Sequence, residues 1–293
     1  MTLPDELTPR AVHDAAWERS LDRVDSVVTC MDTVVELADV VAVIGSFPAL
    51  AGASLSVRQG EIVLLRGSNG AGKTSLLRVC AGLLPVVRGQ AVVCGYDVTT
   101  DRTAVRQRVG LLGHNNGLYA DLTVAENVRF WGATVGASAV ETAAAMGHLG
   151  LDGRLAEVCV ASLSAGQKRR TALACMLARR ARVWLLDEPH AGLDAAARDE
   201  LDATLRRAVD AGATVVLASH ELDRAGSLAS RIVDVVAGTV RNAVTGPTTG
   251  PTTGTTPGTT TGATTGTTPG PTTGPTTGTT PAITTGPTGE EQS

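Results

Sequence analysis

A glycine-rich stretch with the spacing G-x-x-x-x-G-K-T constrains the fold of this chain more than any other feature. It follows a strand-like apolar run at 61–66, and it leads into a helix-like run at 75–80. A strand, a loop and a helix in this order predict a phosphate-binding loop, because glycines let backbone N–H groups turn toward a phosphate and the helix N-terminus adds its positive dipole end. The residues expected to hold the phosphates are Gly67, Ser68, Asn69, Gly70, Ala71, Gly72, Lys73, Thr74 and Ser75.

The lysine of this loop is one of only two lysines among the 25 Lys and Arg residues of the chain. An ammonium group on a flexible stem fits between the β- and γ-phosphates of a nucleotide, where the wider guanidinium of arginine fits poorly. Lys73 is therefore expected to act directly on a triphosphate. A glycine-rich turn without a ligand is the alternative, and the flanking strand and helix argue against it.

A second strand-like run, at 183–188, ends in two carboxylates. Asp187 is expected to hold Mg²⁺, since hard cations prefer oxygen ligands, and the hydroxyl of Thr74 would serve the same ion. Glu188 is one residue further and is expected to be the general base for the water that attacks the γ-phosphate. A strand whose acidic end merely meets solvent is the alternative, but the position of this strand about 110 residues after the phosphate loop argues against it.

Short apolar runs alternate with helix-like segments, which predicts an α/β fold with a mostly parallel core sheet covered on both faces. Two β-rich runs at 34–44 and 53–57 precede the phosphate loop and predict a separate antiparallel β part. Ligands of such sheets bind beyond the carboxyl ends of the strands, where the polar motifs fall. The expected core strands are 61–66, 109–112, 182–186, 213–219 and 232–236, and the expected helices are 73–84, 164–180, 195–210 and 221–228, with two or three more between 123 and 150 and a short strand at 92–93.

Composition divides the chain into three parts. Residues 244–293 consist almost entirely of Thr, Gly and Pro in near-repeats, and such a segment buries too little apolar surface to offset its chain entropy. We expect it to be a disordered tail. Residues 1–30 are expected to be an N-terminal extension, and residues 31–243 are expected to be the folded domain.

The overall charge and the cysteines exclude several classes of protein. A net charge of −4 with 2% aromatic residues argues against nucleic acid as a partner. The five cysteines have no C-x-x-C spacing and are expected to be reduced core residues, not a metal site or a disulfide framework. Because no run approaches the ~20 apolar residues of a membrane span and residues 1–30 lack a signal-peptide layout, we expect a cytoplasmic location.

The segment Leu-Ser-Ala-Gly-Gln at 163–167 resembles the signature motif of the ABC ATPase family, and the resemblance covers about residues 34–240. Locally the segment is an S-x-x-Q capping box, so a well-formed helix start is the alternative. The resemblance implies an ABC ATPase domain at 31–243 with a helical subdomain at about 114–165. It also implies a head-to-tail dimer, a homodimer for this chain, in which Ser164, Gly166 and Gln167 contact the ATP bound by the other subunit.

Two further positions match the family pattern, and two depart from it. Asp194, in Ala-Gly-Leu-Asp, is similar to the D-loop aspartate that links the two sites, and His220, after an apolar strand, is similar to the switch histidine that touches the γ-phosphate. Where the family usually has a glutamine that senses Mg²⁺ and water, this chain has His114, with Asn115 and Asn116 as possible substitutes. The aromatic residue that stacks on adenine is not assigned: Ile44 lies near its position, and Phe47 is the nearest aromatic residue.

The chain is similar to the haem-exporter ATPase subunit of cytochrome c maturation in three segments. It has Gly-His in place of the glutamine-bearing pair, and the segments 121–127 and 188–194 follow. That resemblance implies hydrolysis of ATP with Mg²⁺, integral-membrane partner subunits, and a peripheral position on the inner face of the cell membrane. It does not identify the substrate, because drug and polysaccharide exporters share most of these residues. A second hypothesis is a soluble ABC protein that acts on ribosomes or DNA, but the single cassette and the short helical insert argue against it. A third hypothesis is a small-molecule kinase, which would leave the segment 163–167 and His220 unexplained.

Overall fold

A computed structural model describes residues 32–113, 115–220 and 222–241. The described strands form two sheets. The smaller sheet is antiparallel throughout, in the order β2-β1-β4-β5, and the side chains of β1 and β2 alternate largely between buried and solvent-facing positions. Its strands are β1 (Thr33–Ile44), β2 (Phe47–Arg58), β4 (Arg88–Val93) and β5 (Tyr96–Asp97).

The larger sheet has the order β10-β9-β3-β8-β7-β6 and is parallel except for the hairpin between β9 and β10. The strand β8 is buried along its whole length, and β3 and β7 are buried up to their last residue, as expected for strands with elements packed on both faces. Its strands are β3 (Ile62–Arg66), β6 (Val109–Leu112), β7 (Val183–Asp187), β8 (Thr214–Ala218), β9 (Arg231–Val236) and β10 (Thr239–Arg241).

Helices and the smaller sheet cover the two faces of the larger sheet and create two apolar cores. One core lies between the larger sheet, the smaller sheet and α1, and the other lies between the larger sheet and the later helices. Trp184 of β7 is the largest fully buried side chain in the described ranges, and its Nε1 donates to Ala181 O at 2.9 Å. The helices are α1 (Lys73–Cys80), α2 (Arg102–Arg108), α3 (Val124–Ala133), α4 (Ala139–His148), α5 (Ala165–Ala178), α6 (Ala195–Asp210) and α7 (Leu222–Leu228), with 3₁₀ turns at Gly153–Glu157 and Val160–Ser162.

Three of these helices begin with a complete capping box, in which the N-cap hydroxyl and the N3 side chain satisfy each other's backbone N–H groups. The pairs are Thr123 with Glu126 on α3, Ser138 with Glu141 on α4, and Ser164 with Gln167 on α5. The sequence therefore fixes the start of each helix locally, before any packing is considered.

The predicted order of strands and helices is confirmed, and the differences have local causes. The helix predicted to reach residue 84 ends at Cys80, because Gly82 adopts a φ of 64° and Leu83 N donates back to Arg78 O at 2.8 Å. The strand predicted to begin at residue 53 begins at Phe47, since the β1–β2 hairpin extends its pairing to Ile44↔Phe47. The short elements α2, β5 and β10 were not predicted.

One cysteine contradicts the prediction that all are core residues. Cys80, Cys94 and Cys175 are buried, but Cys159 is exposed, because it lies in the surface segment between the two 3₁₀ turns and pairs with Thr123 in an isolated bridge. Cys30 lies outside the described residues, as do the whole of the predicted extension at 1–30, His114 and the predicted tail. Within the described ranges, no helix has the length and apolar character that a bilayer crossing requires.

Candidate active site

The loop at 67–72 leaves the carboxyl end of β3 and is held against the β9–β10 hairpin. A Cβ atom at Gly67 would lie 2.3 Å from Val235 O, and one at Gly72 would lie 2.9 Å from Ala49 O. Gly72 also has a φ of 111° and caps α1 without a side chain. Glycine is therefore required at both positions, because a neighbouring backbone carbonyl leaves no room for a Cβ atom. The N–H groups of the first turn of α1 receive no side-chain cap.

Lys73, the first residue of α1, is 7% exposed. Its Nζ donates to Gly67 O at 2.7 Å and to Ser68 O at 3.1 Å, so the ammonium group folds back over the loop. A buried ammonium whose partners in the described part of the chain are carbonyl groups lies where an anion would complete its interactions. The arrangement suits the phosphate contact predicted for this lysine.

Thr74 and Asp187 meet, although 113 residues separate them along the chain. Thr74 Oγ1 donates to Asp187 Oδ2 at 2.7 Å, because α1 begins beside the carboxyl end of β7. A hydroxyl and a carboxylate at this edge supply the oxygen ligands that Mg²⁺ prefers. The two residues predicted as metal ligands are thus brought together, and their role as ligands stays a prediction.

Glu188 and His220 also meet at this edge. Glu188 Oε2 lies 2.8 Å from His220 Nδ1 and accepts from the His220 backbone N–H at 3.3 Å. Glu188 has a φ of 50°, a left-handed conformation that costs a non-glycine residue about 1–3 kcal/mol. The Glu188 N–H donates to Ala218 O at 2.8 Å, so the end of β8 helps to hold this conformation.

Lys73, Thr74, Asp187 and Glu188 line one cleft of about 1250 Å³. Asn69 to Ser75 of the phosphate loop and α1, together with Asp187 and Glu188, form one part of its wall. Ile44 and Phe47, which pair across the β1–β2 turn, form another part and are 49% and 78% exposed. Both residues considered for adenine contact therefore lie on the cleft, and the geometry does not choose between them.

The residues predicted to act on a second subunit lie apart from this cleft within the described chain. Ser164 is exposed at the start of α5, where its Oγ accepts from Gln167 N at 3.2 Å and Gln167 Oε1 accepts from Ser164 N at 2.9 Å. Gly166 lies on the first turn of the same helix. Asp194 caps α6 by accepting from Ala197 N at 2.8 Å. Contact of these residues with nucleotide across a dimer stays a prediction.

The two asparagines that follow β6, Asn115 and Asn116, have different surroundings. Asn115 lines the cleft, whereas the Oδ1 of Asn116 accepts from Arg169 Nη1 at 3.1 Å. Asn115 is therefore the asparagine better placed to substitute for the missing glutamine. His114, which was predicted to take that place, lies outside the described residues.

Two buried side chains beside the site were missed by the sequence predictions. Arg169 on α5 is 7% exposed and contacts the segment after β6 and the backbone of Glu188. His190, two residues after Glu188, is 1% exposed, and its Nε2 lies 2.7 Å from Asp202 Oδ1. The signal for Arg169 was present, because it precedes Ala172 and Leu173 by three and four positions and so shares their apolar helix face.

Comparison with known proteins gives concordant matches. A family model described as "ABC transporter" matches residues 50–191. The cytochrome c biogenesis ATP-binding export protein CcmA of Chelativorans sp. strain BNC1 is 39% identical over 177 residues, which cover 60% of this chain and 86% of that protein. CcmA of Bordetella bronchiseptica is 44% identical over 168 residues, which cover 57% of this chain and 75% of that protein.

Among solved structures, the fold matches a dimeric, post-hydrolysis state of the ATP-binding cassette MJ0796 bound to ADP and Pi. The TM-score is 0.67 and the identity is 25%, over 73% of this chain and 99% of the cassette. The match extends over nearly the whole of a cassette that was captured with the two products of ATP hydrolysis.

Proposed function

The chain belongs to the ABC transporter family, and from that membership we propose that it is the ATP-binding and ATP-hydrolysing subunit of a membrane transporter. The observation that carries this proposal is the meeting of Lys73, Thr74, Asp187, Glu188 and His220 at one sheet edge. They come from the start of α1, from the end of β7 with the residue after it, and from the segment after β8. Each belongs to a type that phosphoryl transfer to water requires: a cation, oxygen ligands, a carboxylate base and a hydrogen-bonding imidazole.

Each residue then has a defined task. Lys73 leaves its two loop carbonyls to bind the phosphates, together with the backbone N–H groups of the loop. Glu188 accepts a proton from the water that attacks the γ-phosphorus, while the bond to the leaving ADP oxygen breaks. His220 orients the Glu188 carboxylate through its 2.8 Å contact and would lie beside the terminal phosphate of bound ATP.

The residues fit a hydrated magnesium ion that would enter with ATP. Thr74 Oγ1 and Asp187 Oδ2, which lie 2.7 Å apart, are hard oxygen donors at the edge of the cleft. The ion would neutralise negative charge on the β- and γ-phosphates. These two side chains would hold it directly or through its water shell.

The functional unit is proposed to be a head-to-tail homodimer in which Ser164, Gly166 and Gln167 of each subunit complete the ATP site of the other. Three features support this arrangement: Ser164 is exposed, α5 offers an N-terminus suited to an anion, and the cassette MJ0796, matched at 25% identity, is dimeric. Asp194, at the start of α6, would lie between the two sites.

The transporter is proposed to serve cytochrome c biogenesis by exporting haem. The support is the similarity to relatives named cytochrome c biogenesis ATP-binding export proteins, at 39% and 44% identity, together with the Gly-His sequence after β6. The chain would then act at the inner face of the cell membrane, bound to integral-membrane subunits, and closure of the dimer on ATP would drive their motion.

The hydrolytic role is tested by the variant Glu188→Gln. The amide keeps the shape of the side chain but cannot accept the proton, so steady-state phosphate release should fall by about 100-fold or more, with ATP binding retained. Glu157→Gln, an exposed glutamate on a 3₁₀ turn, is the matched control and should hydrolyse ATP like the wild type. Normal turnover by Glu188→Gln would reject Glu188 as the base.

The export role is tested in the host of origin. Deletion of the gene should abolish covalent haem attachment to c-type cytochromes, as measured by haem staining of membrane and periplasmic fractions. The wild-type gene should restore the staining, and Glu188→Gln should not. Normal cytochromes c in the deletion strain would reject this role and favour the alternative of a drug or other small-molecule exporter.

A further inference from the structure

Arg169 is a buried arginine that joins three segments of the active-site region. It lies on α5, five residues after Ser164, and is 7% exposed. Its Nη1 donates to Gly113 O and to Asn116 Oδ1, both at 3.1 Å, and its Nη2 donates to Glu188 O at 3.1 Å. One side chain thus connects the helix that begins within the signature segment at 163–167, the segment after β6, and the residue that follows β7.

The partners of this guanidinium are unusual for a buried charge. Its hydrogen-bond partners among the described residues are two backbone carbonyls and one side-chain amide, all neutral, whereas buried arginines are normally paired with carboxylates. Burial lowers the pKa of Arg169, and the negative charge of Asp187 opposes this change. Burying an arginine in this way is unfavourable for stability alone, which indicates that its geometry serves the site.

The contact with Glu188 has a specific mechanical consequence. Glu188 adopts a left-handed backbone with a φ of 50°, which a non-glycine residue leaves unless its neighbours hold it. Its N–H is held by Ala218 O at 2.8 Å, and its carbonyl is held by Arg169. Both peptide groups that flank the Glu188 side chain are therefore fixed, and with them the direction in which the carboxylate leaves the backbone.

We propose that Arg169 is a positioning residue for ATP hydrolysis, which holds the backbone of Glu188 in one arrangement relative to Gly113 and Asn116. The inference rests on the proposed function, because it takes Glu188 as the group that accepts the proton of the attacking water. Arg169 itself does not touch the reacting atoms. Its effect reaches them through Glu188 and through Asn115, which lies next to Asn116 in the sequence and lines the cleft.

The effect is expected on turnover and not on nucleotide affinity. Lys73 and the phosphate loop are held by β3, α1 and the β9–β10 hairpin, none of which Arg169 contacts through its hydrogen bonds. A misplaced carboxylate lowers kcat because the base no longer meets the water at hydrogen-bond distance. The binding of ATP, by contrast, depends on groups that keep their places.

The experiment compares Arg169→Met and Arg169→Lys in the full chain, with kcat and KM from phosphate release and ATP affinity from calorimetry. Arg169→Met should lower kcat by roughly 10- to 100-fold with KM and ATP affinity unchanged. Arg169→Lys keeps the charge but offers one compact donor group in place of a planar fork, so its kcat should lie between those of Arg169→Met and the wild type.

Arg180→Met is the matched control for a purely structural effect. Arg180 follows α5, and its Nη2 donates to Glu141 Oε1 at 2.5 Å in the helical part of the molecule. Arg180→Met should therefore lower the melting temperature, but its kcat should equal that of the wild type at temperatures where the variant is folded. A normal kcat for Arg169→Lys and Arg169→Met, with Glu188→Gln inactive, would overturn the inference and leave the proposed function intact. Parallel losses of kcat, ATP affinity and melting temperature would assign Arg169 a structural role and would also overturn the inference. If Arg169→Met does not fold, the result for Arg169→Lys decides the question. Absence of ATP hydrolysis by the wild-type chain would instead reject the proposed function, and normal turnover by Glu188→Gln would reject Glu188 as the base on which the inference rests.

Discussion

Lys73 shows how a single side chain can be prepared for a ligand. With 7% exposure, its ammonium group bonds to Gly67 O and Ser68 O, so the loop already curves around a positive charge. A triphosphate would exchange these neutral partners for charged oxygens, which form stronger hydrogen bonds. The affinity of the cleft for nucleotide should therefore depend strongly on this one residue.

The two lysines of the chain allow a matched comparison. Lys73→Ala should weaken ATP binding by about 10- to 100-fold, because it removes a charge-assisted contact with the phosphates. Lys168→Ala should bind ATP in the cleft like the wild type, because Lys168 does not line the cleft and its Nζ donates to Ala161 O on the 3₁₀ turn before α5. Isothermal calorimetry measures both, and equal affinities would contradict the assigned role of Lys73.

The residues of the site differ in how far the sequence could predict them. Lys73, Thr74 and Asp187 were predicted because each belongs to a short pattern, and Thr74 and Asp187 meet at 2.7 Å. Arg169 and His190 were not predicted, because each acts through partners that are distant in sequence. Glu188 lies 19 residues from Arg169, and Asp202 lies 12 residues from His190. Short patterns encode local geometry, whereas such partners become neighbours only when the sheet assembles.

At the scale of elements, the sequence predicted which segments form strands, but it did not predict the order of the strands in the sheet. The buried core strands were predicted as apolar runs, but the order β10-β9-β3-β8-β7-β6 depends on pairings such as Ile62↔Val215, between residues far apart in the chain. The missed elements are short: β5 has two residues, β10 has three, and α2 has seven, of which Val105 is the buried one. Periodicity over so few residues carries no signal.

A buried polar network ties the segment after β7 to α6 and α7. Asp202 of α6 contacts His190 Nε2 at 2.7 Å through Oδ1, and it accepts from Arg224 Nη1 at 2.7 Å through Oδ2. Arg224 lies on α7, the helix that begins just after His220. This network connects the neighbourhood of Glu188 with that of His220 by a route separate from their direct contact.

We expect Asp202→Ala to destabilise the fold by about 1–3 kcal/mol, because His190, which is 1% exposed, would lose its hydrogen-bond partner. Asp199→Ala is the matched control: Asp199 also contacts Arg224, at 2.8 Å, but its side chain is 70% exposed and it does not contact His190. Urea unfolding followed by circular dichroism gives both free energies of unfolding. Equal losses for the two variants would contradict a special role of the buried network.

For the whole molecule, the cysteines report whether the two apolar cores are closed. Burial raises the pKa of Cys80 and of Cys175 to about 12 and that of Cys94 to about 11, whereas Cys159 is exposed. A thiol with a raised pKa has less of the reactive thiolate at a given pH, so Cys80 should carry about a thousandfold less thiolate than its ordinary pKa of 9.0 would give.

Iodoacetamide at pH 8 should therefore label Cys159 quickly in the native chain and the three buried thiols only after unfolding, as read by peptide mass spectrometry. Labelling in urea provides the control, because all four thiols should then react. Rapid native labelling of Cys80 or Cys175 would show that the corresponding core is open in solution.

The account as a whole depends on each chain supplying one half of two ATP sites. The most direct measurement is the molar mass of Glu188→Gln by light scattering, with and without ATP and Mg²⁺, beside the double variant that also carries Ser164→Arg. We predict twice the mass of one chain for Glu188→Gln with ATP, and the mass of one chain without ATP or when Ser164 is replaced. A single-chain mass for Glu188→Gln at saturating ATP, together with wild-type hydrolysis by Ser164→Arg alone, would contradict it.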